Sequence, residues 1–150
     1  GSPPQSNQLA YQAQIDDDAR GQSQEVYTNV VPTALTLLAS AARTALVTGA
    51  DQTNNAYRGL IVTIDATASA DTPSVTFTLQ GKDDLSGKYY TILASAAITG
   101  AGTTVLRVYP GLTASANVTA NDVLPKTWRL TVAVADTDSL TYSVGATLLP

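Results

Sequence analysis

Residues 57–80, YRGLIVTIDATASADTPSVTFTLQ, decide the fold. In Tyr57–Thr67, Leu60, Val62 and Ile64 fall on one side of an extended chain, and Ile61, Thr63 and Asp65 on the other. A period of two is the signature of a pleated strand, because successive side chains point to opposite faces. The stretch SADTP (69–73) then reads as a turn closed by Pro73. Ser74–Gln80 repeats the alternation, with Val75, Phe77 and Leu79 against Thr76, Thr78 and Gln80. β-Branched residues dominate both runs, and these pack well on a pleated surface.

The same pattern continues outward in both directions. Downstream it predicts strands over Tyr89–Ala94, Thr103–Tyr109, Thr127–Ala135 and Leu140–Leu148. Trp128, Leu130, Val132 and Val134 share one face of the third; Leu140, Tyr142, Val144 and Ala146 share one face of the fourth. Upstream, Ala34–Ala39 and Thr44–Thr48 read as one interrupted strand pair. The Ala/Leu content of 34–46 imitates a helix, but Thr33, Thr36 and Thr44 favour strand. Between the strands, Lys82–Lys88 is a loop or hairpin turn with Gly87 free to take positive φ, DTDS (136–139) is a turn, and Leu112–Pro125 is a long irregular connection. Seven or eight short strands at about ten-residue spacing predict an all-β fold, an antiparallel β-sandwich or jelly roll. Runs such as Leu60-Ile61-Val62, apolar on both faces, predict strands covered on both sides.

Residues 1–33 differ from 34–150. They are rich in Gln, Ser and Pro, and hold Asp16, Asp17, Asp18 and Glu25 against Arg20 alone, so they carry −3 of the net −4. Such a stretch cannot bury enough apolar area to offset its own ordering entropy. It reads as an extended arm ahead of a sandwich domain at 34–150, held by a partner through Leu9, Tyr11, Ile15, Val26, Tyr27, Val30 and Val31.

Composition narrows the chemistry. Charged residues make up only 13% of the chain, against about 25% in an average domain. The eight basic residues are scattered and the pI is 4.4, so the cationic patch that nucleic acid requires is missing. No apolar run approaches the ~20 residues of a membrane-spanning helix. Histidine and cysteine are absent, which removes the commonest general base, thiolate nucleophile and transition-metal ligands. No P-loop, GxGxxG, GxSxG or Ser-x-x-Lys pattern occurs. Asp16-Asp17-Asp18 lacks the spacing of a calcium loop and reads as a solvated acidic patch. Asp83, Asp84, Asp136 and Asp138 lie in turns, where aspartate bonds its own backbone. Tyr89 and Tyr90 are adjacent on a strand, so at most one enters the core; Trp128 belongs to it. The reading is therefore no enzyme, no cofactor and no metal.

The segment SVTFTLQGKDDLSGKYYTIL (74–93) resembles a pattern in small structural proteins of tailed phages: a strand ending Leu-Gln-Gly, an Asp-containing turn, then an aromatic strand. TTVLRVYPGL (103–112), LPKTWRLTVAV (124–134) and SLTYSVGATLL (139–149) extend the likeness. The chain is thus similar to phage head-decoration, or capsid-cementing, and related minor virion proteins. That resemblance implies a place on the phage head surface. The implied partners are the major capsid protein and sister subunits, often as a homo-trimer, with the arm reaching a neighbour. A second reading keeps the scaffold and changes the role: a carbohydrate- or receptor-binding module of a tail or cell surface, using Asp83, Asp84, Tyr89 and Asn117.

Overall fold

A computed structural model describes residues 30–150. Among these the chain forms β1 (Thr33–Arg43), β2 (Val47–Thr48), β3 (Gln52–Thr53), β4 (Gly59–Ser69), β5 (Val75–Lys82), β6 (Tyr89–Ala94), β7 (Gly102–Val108), β8 (Thr119–Ala120), β9 (Thr127–Val134) and β10 (Leu140–Leu149). One sheet, A, runs β1-β10-β4-β7-β8; the other, B, runs β2-β9-β5-β6, with β3 also pairing β9. Among the described residues the chain changes sheet at six of its nine connections, and β5–β6 is the hairpin of two long strands. β10, the last strand, lies between β1 and β4, and β9 lies between β2 and β5. This interleaving of early and late strands across two sheets is the jelly roll.

Alternation does the folding. β5 buries every second residue, with Val75, Phe77 and Leu79 inward and Thr76, Thr78 and Gln80 half-exposed. β9 and β10 follow suit, burying Trp128, Leu130 and Val132 and then Leu140, Tyr142, Val144 and Ala146. With Leu60, Val62 and Ile64 of β4 and Leu106 and Val108 of β7 they form one core between the sheets. Each such side chain contributes roughly 1.5–3 kcal/mol when fully buried. Phe77 of sheet B meets Tyr142 of sheet A edge-to-face at 4.9 Å between ring centroids, an arrangement that suits the ring quadrupoles.

Three expectations change. The interrupted pair over 34–39 and 44–48 is one continuous strand, β1, followed by the short β2. Arg43 explains the extension: its guanidinium donates to the carbonyls of Ala39 (2.6 Å) and Tyr142 (2.9 Å), and covers the Tyr142 ring at 4.6 Å. It thereby closes a stretch where the β1–β10 register slips between Leu38 and Ala41. Lys82 belongs to β5 rather than to the loop, because the ladder runs on to Lys82 opposite Tyr89. The irregular connection 112–125 contains β8, whose pairing with β7 is parallel, an exception to the antiparallel rule.

Candidate interaction surfaces

The densest polar network lies on the outer face of sheet B. Arg129 projects from β9 and lays its guanidinium over the Tyr89 ring, 3.4 Å from the centroid, while its Nε donates to Gln80 Oε1 at 2.8 Å. The Tyr89 hydroxyl donates to Asp51 at 2.8 Å, and Lys82 pairs with the same carboxylate at 3.1 Å. The Tyr89 hydrogen bond, then that of Lys82, holds the Asp51 carboxyl below its ordinary range. Asp51 in turn raises Lys82. Sequence reasoning singled out Tyr89 but missed Asp51, Gln80, Lys82 and Arg129. The signal available was their register: Gln80 lies opposite Arg129, and Lys82 opposite Tyr89.

The hairpin between β5 and β6 is built by Asp83. Its carboxylate accepts from the Leu85 and Ser86 amides (both 3.3 Å) and from the Ser86 hydroxyl (2.7 Å). The Gly87 amide donates to the Asp83 carbonyl at 2.7 Å, and Gly87 takes φ +74°. Asp84 accepts from the Thr127 hydroxyl at 2.7 Å. Asn117, at φ 64°, donates to the Ala94 carbonyl at 3.0 Å. At the other end of the sandwich Asp136 accepts from the Asp138 amide, and Asp138 accepts from Thr72. Asp84 sits at the start of the eight-residue β9 and Asp136 beyond its end, so the two acid pairs are roughly 25 Å apart. They cannot act on one bond. Among the described residues no three of His, Cys, Asp and Glu are grouped as a metal site, and no helix is long and apolar enough to cross a membrane.

Of the arm residues singled out, Leu9, Tyr11, Ile15, Val26 and Tyr27 lie outside the described residues, as do Asp16–Asp18. Val30 is half-buried and Val31 is 56% exposed, just ahead of β1. The outer face of sheet A is almost uncharged. Ala34 and Thr36 of β1, Thr141, Ser143, Gly145 and Thr147 of β10, and Ile61 and Thr63 of β4 form its middle, with Asp65 and Arg107 as its charged members. Between Ala34, Thr36, Thr63, Gly145 and Thr147 lies an open depression of about 300 Å³. A larger cleft of about 550 Å³ lies beside Asn54, Tyr57, Leu124 and Lys126. There the Asn54 amide is spent on the Tyr57 and Leu124 carbonyls (2.7 and 3.0 Å) and on the Tyr57 amide (2.8 Å).

No family model matches the sequence, and no curated protein matches it. Similar solved structures are those of infectious bursal disease virus. The Gx strain gives a TM-score of 0.45 at 12% identity over 78% of this chain and 31% of that one. The Gt strain gives 0.44 at 12% identity over 79% and 33%. The T13 particle of the same virus gives 0.45 at 12% identity over 80% and 31%. The chain thus spans about a third of the length of the chains it matches, and no residue role carries over from them.

Proposed function

We propose that this protein is a structural subunit of a virion, a decoration protein that binds an assembled phage head and strengthens it through contacts with the shell and with sister subunits. The observation that carries the reading is where the polar side chains are spent. Asp83, Asp84, Asp136, Asp138 and Asn117 all hold their own turns or neighbouring strands. What remains outward on sheet A is rich in Thr, Ala and Ser, a surface suited to shape and buried contact. Jelly rolls serve shells and lectins alike, so the fold sets the class of surface and the site must choose the role. The sequence resemblance over 74–149 supports the shell. The arm at 1–33 would add contact area and link neighbours, so that weak sites reinforce one another.

Of the residues of the carbohydrate- or receptor-binding reading, Tyr89 has one ring face stacked on Arg129, and Asp83, Asp84 and Asn117 are engaged within the fold, so we favour the shell. The decisive experiment mixes purified protein with empty phage heads and pellets them. Co-sedimentation at micromolar concentration supports decoration, and its absence refutes it. A glycan array run alongside gives no signal if the role is decoration.

A further inference from the structure

The link between β1 and β2 has the sequence of a strand, although the chain passes there from one sheet to the other. It is three residues long, Thr44-Ala45-Leu46. Among the described residues it is the one connection between strands without Gly, Pro, Asn, Asp or Ser. Those residues make turns, through positive φ, a fixed φ or a side-chain bond to the backbone. Thr44 is β-branched and favours extended chain. Leu46 is 66% exposed, so the turned link leaves an apolar group in water. The strand ahead of the link is also lightly anchored. Of the seven strands of six residues or more, β1 alone has no fully buried side chain. It lies at the edge of sheet A, and its ladder to β10 slips twice. Such an element opens at less cost than a core strand. Its seat cannot stay empty, because Leu35, Leu37 and Leu38 pack against the core and opening exposes them together with the edge of β10. The segment that refills the seat residue for residue is β1 of another copy. Leu35 opposite Ala146, Leu38 opposite Val144 and the Arg43 bond to the Tyr142 carbonyl all re-form unchanged between chains. Exchange of an identical element is a low-cost route to a dimer.

We propose that two copies exchange β1: the link 44–46 straightens, and β1 of each copy pairs with β10 of the other. The exchange is reciprocal, so the dimer closes on a two-fold axis. The two straightened links lie beside each other near that axis, and each Leu46 gains apolar cover. This rests on reading the chain as an assembling subunit, and names the element that joins copies. The test exploits the absence of cysteine from the sequence. Ala34→Cys and Thr147→Cys are placed together in the full chain, at positions that face each other across the β1–β10 ladder, within reach of a disulfide. After oxidation, exchanged strands give a covalent dimer on a non-reducing gel, at twice the mass of the chain; this is the expected result. A strand seated in its own chain gives a monomer closed on itself, and that result overturns the proposal, as do thiols that stay free. Sedimentation velocity at micromolar concentration supplies a second reading without cysteines. Wild type should be dimeric, and Ala45→Asn with Leu46→Gly, which gives the link turn residues, should halve the mass. A monomeric wild type, or a link variant as dimeric as wild type, also overturns the proposal. Circular dichroism confirms that each variant is folded. Pelleting the cysteine variant with heads separates the two ideas. A closed monomer that pellets with heads removes the exchange and leaves decoration standing; a linked dimer that stays in the supernatant keeps the exchange and removes decoration.

Discussion

Tyr142 brings a ring that the core accepts and a hydroxyl that it does not. The residue is 1% exposed, and its hydroxyl has no hydrogen-bond partner among the described residues. A buried hydroxyl without a partner costs free energy, so its removal should help. Tyr142→Phe should raise stability by about 1 kcal/mol, roughly 2–4 °C in melting temperature, measured by calorimetry. Burial pushes the Tyr142 phenol above its ordinary value of 10.0, with Arg43 opposing. The neutral form is the one the fold favours. Its stabilisation is therefore complete below pH 10 and fades as pH rises through the higher folded value. Tyr142→Phe should abolish that alkaline loss. Phe77→Ala, by contrast, opens the core between the sheets and should cost about 3–5 kcal/mol in denaturant unfolding. Residues like these were legible from alternation alone, as was Trp128. Arg129 was not: its stacking partner Tyr89 lies forty residues away in sequence, and nothing local announces the pair.

The β5–β6 hairpin shows how much of an element sequence reveals. Gly87 and the aspartates announced a turn, and Tyr89–Ala94 was read with the bounds it has. The end of β5 and the existence of β8 were not readable, because both depend on backbone pairing, of Lys82 with Tyr89 across the turn and of Thr119–Ala120 with β7 across a longer connection. The Asp83 carboxyl is held below its ordinary range, first by the Ser86 hydroxyl and then by the Leu85 and Ser86 amides. Its bracing is present above the ordinary value of 3.8 and is lost as pH falls through the lowered folded value. Amide exchange at Leu85 and Ser86, corrected for intrinsic rate, should therefore accelerate in strong acid while β9 stays protected. Asp83→Ala should produce the same local acceleration at neutral pH. If the hairpin amides exchange no faster in that variant, the carboxylate does not hold the turn.

At the scale of the whole molecule, the jelly roll was legible because seven of its strands are six residues or longer and each carries its own face. Its order was not, since β1 pairs with β10 and β2 with β9 across most of the chain. Removing residues 1–33 should weaken head or subunit binding and leave the sandwich folded, by pelleting and circular dichroism. Equal binding by the truncated protein would show that the arm makes no contact that matters.

Thr33 lies opposite Leu148 in the β1–β10 ladder. Antiparallel partners stand only about 5 Å apart. A cargo spliced ahead of Thr33 and another spliced behind Pro150 would therefore emerge side by side, as two labels on one handle. A fluorophore pair placed there would report on the integrity of sheet A, going dark together or apart according to whether β1 stays zipped to β10.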